Sequence, residues 1–382
     1  MDKKIKINQQ REIMNTPIKP IPFKELVSPF IKRKLDELRS QYGENSSHYL
    51  GLARQYLQVP LENIVYQDER DRHYDAHTDF VVDDKPIPGL ERLYRRGLVI
   101  EPTMICAAHC RYCLRANYKT PYTLSEEELL GVAKFCGSQE RKAVLHEVLI
   151  TGGDPLIIPN RLAFLVDALV EFAPNIKIMR IATRLPQQAP SRITNTVYRI
   201  FQKREGVRFE LATQINHPVE LSFPETVDII KTFRNMGVVI YSQNVLLKEV
   251  NDDLPVLIDL YDAIRDLGIE AHYLFHCIPL RGMSHMRTSV EKGLRLTNAL
   301  VNSGHISGRA KPMFAAMTDI GKITFYENTI LQKDPTHNSL LLQSQYLDKE
   351  RKTWNPSWVL PSSAEVDENG RLRIWYLDGR DD

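Results

Sequence analysis

From Gly97 onward, short apolar runs alternate with longer amphipathic segments, and this alternation most strongly constrains the fold. The apolar runs have the length of buried strands, and the segments between them carry apolar residues at helical spacing. Strands that alternate with helices in this way usually pair in parallel, because each helix returns the chain to the same end of the sheet. The pattern predicts strands at 98–102, 143–151, 177–183, 208–213, 238–245 and 270–276, and helices at 125–136, 160–172, 191–202, 224–236, 254–267 and 289–301.

Six consecutive β-α units predict an α/β fold whose parallel sheet curls into a barrel or an open partial barrel. The chain divides into three expected regions. Residues 1–90 form a helical region and linker, residues 91–310 form the (β/α)6 core, and residues 311–382 form a β-rich extension.

Two helices are predicted in the first region, at 23–42 and 47–57, followed by a charged linker at 68–88. His73 and His77 in that linker suit a solvated loop better than a metal site. The extension carries strand-like runs at 312–317, 322–326, 339–345 and 371–376, with a turn at 367–370 before the last run.

The composition argues against nucleic-acid-binding, secreted and membrane-spanning proteins. A hydrophobic content of 43%, a charged content of 26% and a net charge of +2 describe an ordinary globular chain, and the balanced charge argues against nucleic acid as a partner. The charged N-terminus lacks the apolar stretch of a secretory signal, and no run is long enough to cross a membrane. Five cysteines, three of them in a metal-type spacing, favour a reducing compartment, so we expect a cytoplasmic protein.

Three of the five cysteines lie within eight residues, as Cys106-x3-Cys110-x2-Cys113, directly after the first strand of the core. Three thiolates can hold three irons of a [4Fe–4S] cluster and leave the fourth iron open to a ligand. A structural zinc or an electron-carrier cluster would need a fourth ligand, which the loop does not offer. Two alternatives remain open at this point: chance clustering, and a zinc site completed by a distant residue.

This cysteine spacing, with Tyr112 before the third cysteine, resembles that of radical S-adenosylmethionine (SAM) enzymes. In that superfamily the open iron binds SAM, and an electron from the cluster splits SAM to a 5′-deoxyadenosyl radical that abstracts a hydrogen atom. Gly152-Gly153-Asp154, at the end of the next strand, lies where these enzymes contact the SAM amino group.

Further segments resemble the lysine 2,3-aminomutase family, among them residues 86–90, 183–186, 216–218, 242–247 and 285–288. The resemblance implies that Cys106, Cys110 and Cys113 hold the cluster. It implies an amino-acid-like substrate, whose carboxylate Arg115 binds, and an electron donor of the flavodoxin or ferredoxin type; a homo-oligomer remains open. The SAM contacts that it implies are Tyr112, Gly152, Gly153, Asp154, Arg184, His217 and Gln243.

The lysine enzymes also bind pyridoxal phosphate (PLP) through a lysine in a glycine-rich loop after the barrel. Lys322 is the lysine nearest to that position, but the glycine run is reduced to Gly321. Lys322 is therefore either the PLP lysine or an exposed lysine of a hairpin turn. Arg92, Arg95 and Arg96 could take the place of the family's phosphate-binding arginines.

Two positions bear on the substrate. In the lysine enzymes, two aspartates bind the distal amino group of the lysine substrate. Ile278 and Met317 occupy those two positions in this chain. A buried ammonium without a carboxylate costs several kcal/mol. We therefore expect a substrate other than free lysine. Without PLP, the same radical would serve another rearrangement, an epimerisation or a modification, and a non-catalytic iron–sulfur or zinc protein is the alternative from another class.

Overall fold

The computed structural model describes residues 24–64, 66, 69, 80–82, 85–92, 94–115, 122–326 and 329–381. His73 and His77 lie outside these ranges. The chain begins with a helical pair, α1 (Pro29–Tyr42) and α2 (Ser47–Tyr56), followed by a hairpin of β1 (Phe80–Val82) and β2 (Lys85–Ile87). The first helix starts six residues later than predicted, because the Ser28 side chain caps it by accepting from Ile31 N at 3.1 Å. The hairpin lies inside the segment predicted as a linker.

The core consists of one nine-stranded sheet with helices between its strands. Seven neighbouring strands, β4 to β10, run parallel, and an antiparallel strand flanks them at each edge. The strands are β3 (Leu90–Glu91), β4 (Gly97–Thr103), β5 (Glu147–Gly152), β6 (Ile178–Ala182), β7 (Arg208–Thr213), β8 (Val239–Leu246), β9 (Glu270–His276), β10 (Met313–Thr318) and β11 (Gly321–Thr324).

The crossover helices cover the outer face of this sheet, and their apolar sides join the strands in one continuous core. Alternate residues of the strands are apolar, and the crossover helices carry apolar residues every three to four positions along one side. These two patterns account for the packing of the helices on the sheet. The helices are α3 (Glu126–Cys136), α4 (Gln139–Lys142), α5 (Pro159–Phe172), α6 (Leu185–Gln188), α7 (Asn195–Ile200), α8 (Pro224–Asn235), α9 (Leu254–Asp266) and α10 (Val290–Asn302).

All six predicted core strands are present, and the sheet is an open half-barrel, as the α/β prediction required. Two boundaries differ. The helix predicted at 191–202 is shortened to α7, because Pro190–Arg192 forms a separate 3-10 turn. The strand predicted to begin at 143 begins at Glu147, because α4 and its turn occupy the preceding residues.

The core sheet continues beyond the predicted boundary between the core and the extension. Strand β10 pairs in parallel with β9, so the boundary at 310 falls inside the core sheet. The remaining residues form a second sheet of four antiparallel strands, together with helix α11 (Asp348–Trp354). Its strands are β12 (Ile330–Asp334), β13 (Ser339–Leu347), β14 (Ala364–Val366) and β15 (Arg371–Leu377), and the predicted turn at 367–370 joins the last two.

Candidate functional site

A cavity of about 360 Å³ lies inside the half-barrel, a volume typical of small-molecule sites. Residues 104–115, which we call the cysteine loop, form one wall of it. The predicted site residues line this cavity, except for His217 and the three arginines suggested for a phosphate, Arg92, Arg95 and Arg96, and they come from seven separate segments of the chain. The fold therefore brings the cysteines, the Gly-Gly-Asp segment, Arg115 and Lys322 to one place.

The helical pair holds the cysteine loop from outside the barrel. His109 N donates to Leu26 O at 2.8 Å, and Arg111 N donates to Gln55 O at 2.9 Å. The Arg111 guanidinium pairs with Glu62 through two hydrogen bonds, one of them 2.9 Å long, in a largely buried contact. These bonds fix a loop that has no regular secondary structure of its own.

The two glycines of the Gly-Gly-Asp segment allow β5 to approach the cysteine loop closely. Gly152 has a φ of 106°, and a Cβ atom there would lie 2.4 Å from Thr103 O. A Cβ atom on Gly153 would lie 2.3 Å from Ile105 O. Both glycines are therefore required by backbone packing against the cysteine loop, whether or not a ligand also approaches them.

The Asp154 carboxylate joins neighbouring loops. It accepts from Thr183 Oγ1 at 2.8 and 2.9 Å, from Arg184 N at 2.9 Å and from Leu156 N at 3.1 Å. Burial raises the pKa of Asp154 above its ordinary value, and these hydrogen bonds oppose that change. The SAM contact expected from Asp154 stays a prediction.

A buried polar network, made up of Gln55, Tyr112, Arg184, Asn216 and Glu220, lies behind Cys110. Gln55 Oε1 accepts from the Tyr112 hydroxyl at 3.1 Å, from Arg184 Nη2 at 3.1 Å and from Asn216 Nδ2 at 3.2 Å. Arg184 Nη2 also pairs with Glu220 Oε2 at 2.6 Å. No local sequence pattern indicates a role for Gln55 or Glu220, because each lies in an ordinary helical or 3-10 segment.

His217 does not reach the cavity. Its Nδ1 accepts from Val219 N at 3.1 Å, and the ring packs so closely on α2 that a Cβ atom on Gly51 would lie 2.4 Å from it. Burial lowers the pKa of His217 to about 4, so the ring is neutral near pH 7. Its expected contact with SAM is untested by this arrangement.

The residues around the cysteine loop are compatible with a [4Fe–4S] cluster and with an amino-acid-like ligand, such as SAM, bound beside it. Cys106, Cys110 and Cys113 line the same wall of the cavity, although no three His, Cys, Asp or Glu side chains in the described part of the chain form a ready metal cage. Arg184 Nε and Gln243 Nε2 also belong to cavity-lining residues, and both are buried without a hydrogen-bond partner among the described residues. Such donors suit the carboxylate and polar groups of a ligand like SAM.

Lys322 occupies the other end of the cavity, which we call the lysine end. It lies within β11, opposite Met317 on β10, and not in the turn between them. Its ammonium nitrogen lies 5.2 Å from the Tyr273 ring centre, 5.7 Å from Phe275 and 5.8 Å from Tyr94. The interpretation of Lys322 as an exposed turn lysine is therefore wrong.

The surroundings of Lys322 alter its charge. Burial, followed by the nearby Arg180 guanidinium, lowers the pKa of Lys322 to about 8, while Glu91 and Glu147 oppose the change. An ordinary lysine titrates near 10.4, so a much larger fraction of this amine is neutral at pH 7.

Arg115 and an apolar wall also line the cavity. The Arg115 guanidinium pairs with the buried Glu101 carboxylate and lies 3.8 Å from Glu91. A substrate carboxylate would have to share Arg115 with these glutamates, so the predicted role stays a prediction. Ile278 and Met317 meet in one apolar cluster. That cluster also contains Leu114, Leu280 and Met283.

Among the described residues, no helix combines the length and apolar character needed to cross a bilayer.

Comparison with known proteins identifies the family. Residues 100–261 match the model described as the radical SAM superfamily. The chain is 32% identical to a putative L-lysine 2,3-aminomutase of Aquifex aeolicus, over 78% of this chain and 74% of that protein. It is 29% identical to the L-lysine 2,3-aminomutase of Bacillus subtilis, over 72% of this chain, and the match spans 57% of that enzyme.

A solved radical SAM methyltransferase from Sphaerobacter thermophilus superposes on 60% of this chain and 69% of its own, with a TM-score of 0.44 and 17% identity. The sequence matches carry the assignment. Radical SAM enzymes as a group use a [4Fe–4S] cluster and SAM, which favours an enzyme over the non-catalytic alternative. The chain belongs to the radical SAM superfamily, as a divergent member of the lysine 2,3-aminomutase family.

Proposed function

We propose that this chain catalyses an aminomutase-like rearrangement, with PLP, of an amino acid whose side chain is apolar. Cys106, Cys110 and Cys113 would hold a [4Fe–4S] cluster, and the bound cluster would supply the electron that cleavage of SAM requires. The position of Lys322 in the same cavity, with its nitrogen among the rings of Tyr94, Tyr273 and Phe275, is the observation that carries the proposal.

Lys322 suits a covalent attachment to a carbonyl compound. An amine attacks a carbonyl only in its neutral form, and desolvation among aromatic rings favours that form. Lys322 would thus hold PLP covalently through its ε-amino group. When bound, PLP would supply the electron delocalisation that lets an amino group migrate between adjacent carbons.

The wall near Lys322 favours an apolar substrate side chain. Ile278 and Met317 offer no charge to a distal ammonium, and burying one there without a partner costs several kcal/mol. Arg115 would orient the substrate carboxylate while it keeps its contact with Glu101. A guanidinium can do both, because it presents five N–H donors.

Borohydride trapping tests the proposal. The iron-reconstituted protein is incubated anaerobically with PLP, reduced with borohydride and digested, and the labelled peptide is identified by mass spectrometry. We expect the label on Lys322 and its loss in Lys322→Met, with the iron–sulfur absorption unchanged. A label elsewhere, or none, would remove the amino shift and leave PLP-independent radical chemistry, such as an epimerisation or a modification of a larger substrate.

A further inference from the structure

Cys110 receives hydrogen bonds from two buried side chains. Arg184 Nη1 donates to Cys110 Sγ at 3.0 Å, and Gln188 Nε2 donates to the same sulfur at 3.3 Å. Gln188 is 2% exposed and Arg184 is 8% exposed, so both contacts are shielded from water. In such surroundings a hydrogen bond is electrostatically stronger than at the surface.

Each donor is held by the surrounding structure. Gln55 Oε1 and Glu220 Oε2 both bind Arg184 Nη2, at 3.1 and 2.6 Å, which leaves Nη1 directed at Cys110 and Tyr112. The main chain of Gln188 accepts from the Ser28 hydroxyl, just before α1. Gln55 of α2 thus orients the Arg184 guanidinium, and Ser28, the N-cap of α1, holds the main chain of Gln188.

These contacts matter most when the cluster is reduced. One-electron reduction adds negative charge that spreads over the iron and the sulfur ligands. Donors aimed at a ligand sulfur stabilise that charge, and hydrogen bonds to the sulfurs are among the features that set the reduction potential of iron–sulfur clusters.

We propose that Gln188 and Arg184, the latter oriented by Gln55, donate to the Cys110 ligand of the bound cluster and raise its reduction potential. Gln188 and Gln55 then make acceptance of an electron from the external donor more favourable, without contact with the substrate. The inference rests on the cluster assignment made above and not on PLP.

Two adjacent glutamines allow a matched comparison. Gln187 and Gln188 are both 2% exposed, but Gln187 Nε2 donates to Thr213 Oγ1 at 3.1 Å and not to Cys110. Gln188→Leu and Gln187→Leu each remove one buried amide from α6. Their effects on stability should be alike, whereas only the first removes a donor to the cluster.

The experiment is a redox titration of the iron-reconstituted proteins, followed by electron paramagnetic resonance, after iron content has been measured. In Gln188→Leu we expect the ratio of reduced to oxidised cluster at a fixed potential to fall about fivefold, the effect of losing one hydrogen bond. Gln187→Leu should match the wild type. Gln55→Leu should shift the ratio in the same direction as Gln188→Leu.

Equal potentials in Gln188→Leu and Gln187→Leu would overturn the inference. If Gln188→Leu takes up no iron, Gln188→Glu keeps the side-chain length and replaces the donor by an acceptor. Its cluster should be harder to reduce than the wild-type cluster, and an unchanged or higher potential would overturn the proposal. A wild-type protein that binds no iron would instead remove the cluster assignment itself.

Discussion

Hydrogen bonds between distant segments hold the cysteine end of the cavity, whereas aromatic rings enclose the lysine end. Behind Cys110, Gln55 alone links α2 to three other segments through Tyr112, Arg184 and Asn216. Around Lys322 lie the rings of Tyr273 and Phe275, and the charged groups of Arg180, Glu91 and Glu147 are close enough to affect its pKa. Hydrogen bonds are directional, so they fix the positions of the side chains that they join. Apolar surroundings instead change the charge state of a buried group and determine the shape of the ligand that fits. We therefore expect the cysteine end, which is the part of the cavity lined by the cysteine loop, to hold the cluster in a fixed arrangement. We expect the lysine end to select the substrate.

Removal of one cluster ligand should cause the largest effect. Cys110→Ala leaves two of the three thiolates, and we expect loss of the iron–sulfur absorption and of all SAM cleavage. Cys136→Ala serves as the control, because that thiol is buried in the main core and should not affect iron binding. Iron analysis and an assay for 5′-deoxyadenosine measure both outcomes. SAM cleavage by Cys110→Ala would contradict the assignment of the cysteine end.

Overpacking between the two glycines and the cysteine loop should have the next largest effect. A methyl group on Gly153 would press on Ile105 O, and relieving such a clash typically costs about 1–3 kcal/mol. We expect Gly153→Ala to lower the thermal midpoint and the iron content together. Gly308→Ala is the control, since nothing lies within 4 Å of a Cβ atom there. Full iron content in Gly153→Ala would show that the loop tolerates displacement.

The parts of this site that the sequence could predict are those carried by local patterns. Short apolar runs predict the strands, and the spacing of the three cysteines predicts a cluster site. The position of the cysteine loop at the end of β4 is confirmed. Gln55, Gln188 and Glu220 could not be found this way, because their roles arise from contacts across more than 30 residues.

The lysine end shows a second limit. Gly321-Lys322 is ordinary turn chemistry in a local window, and the sequence alone could not show that β10 and β11 continue the core sheet. That pairing points Lys322 into the barrel. Likewise, loop geometry alone could explain the glycines before Asp154 in the sequence, and their contacts with Thr103 O and Ile105 O supply that explanation without a ligand.

The lysine end should show a distinctive pH dependence. Because the pKa of Lys322 is lowered to about 8, its neutral fraction rises about tenfold per pH unit below that value and levels off above it. The initial rate of borohydride trapping with PLP should follow this curve between pH 6 and 9. A midpoint near 10, the ordinary value for lysine, would show that the aromatic rings do not desolvate the amine. Lys322→Met should remove the pH-dependent component.

The smallest expected effect concerns substrate choice at the apolar wall. Met317→Asp places a carboxylate beside Ile278, where a distal ammonium could pair with it. We expect the amount of SAM cleaved with lysine, relative to leucine, to rise about fivefold, a modest change of the size that one pocket contact gives. Met317→Asn is the matched control, since it introduces polarity without charge. An equal rise in both variants would mean that polarity alone governs the preference, and no rise in either would place the substrate side chain away from this wall.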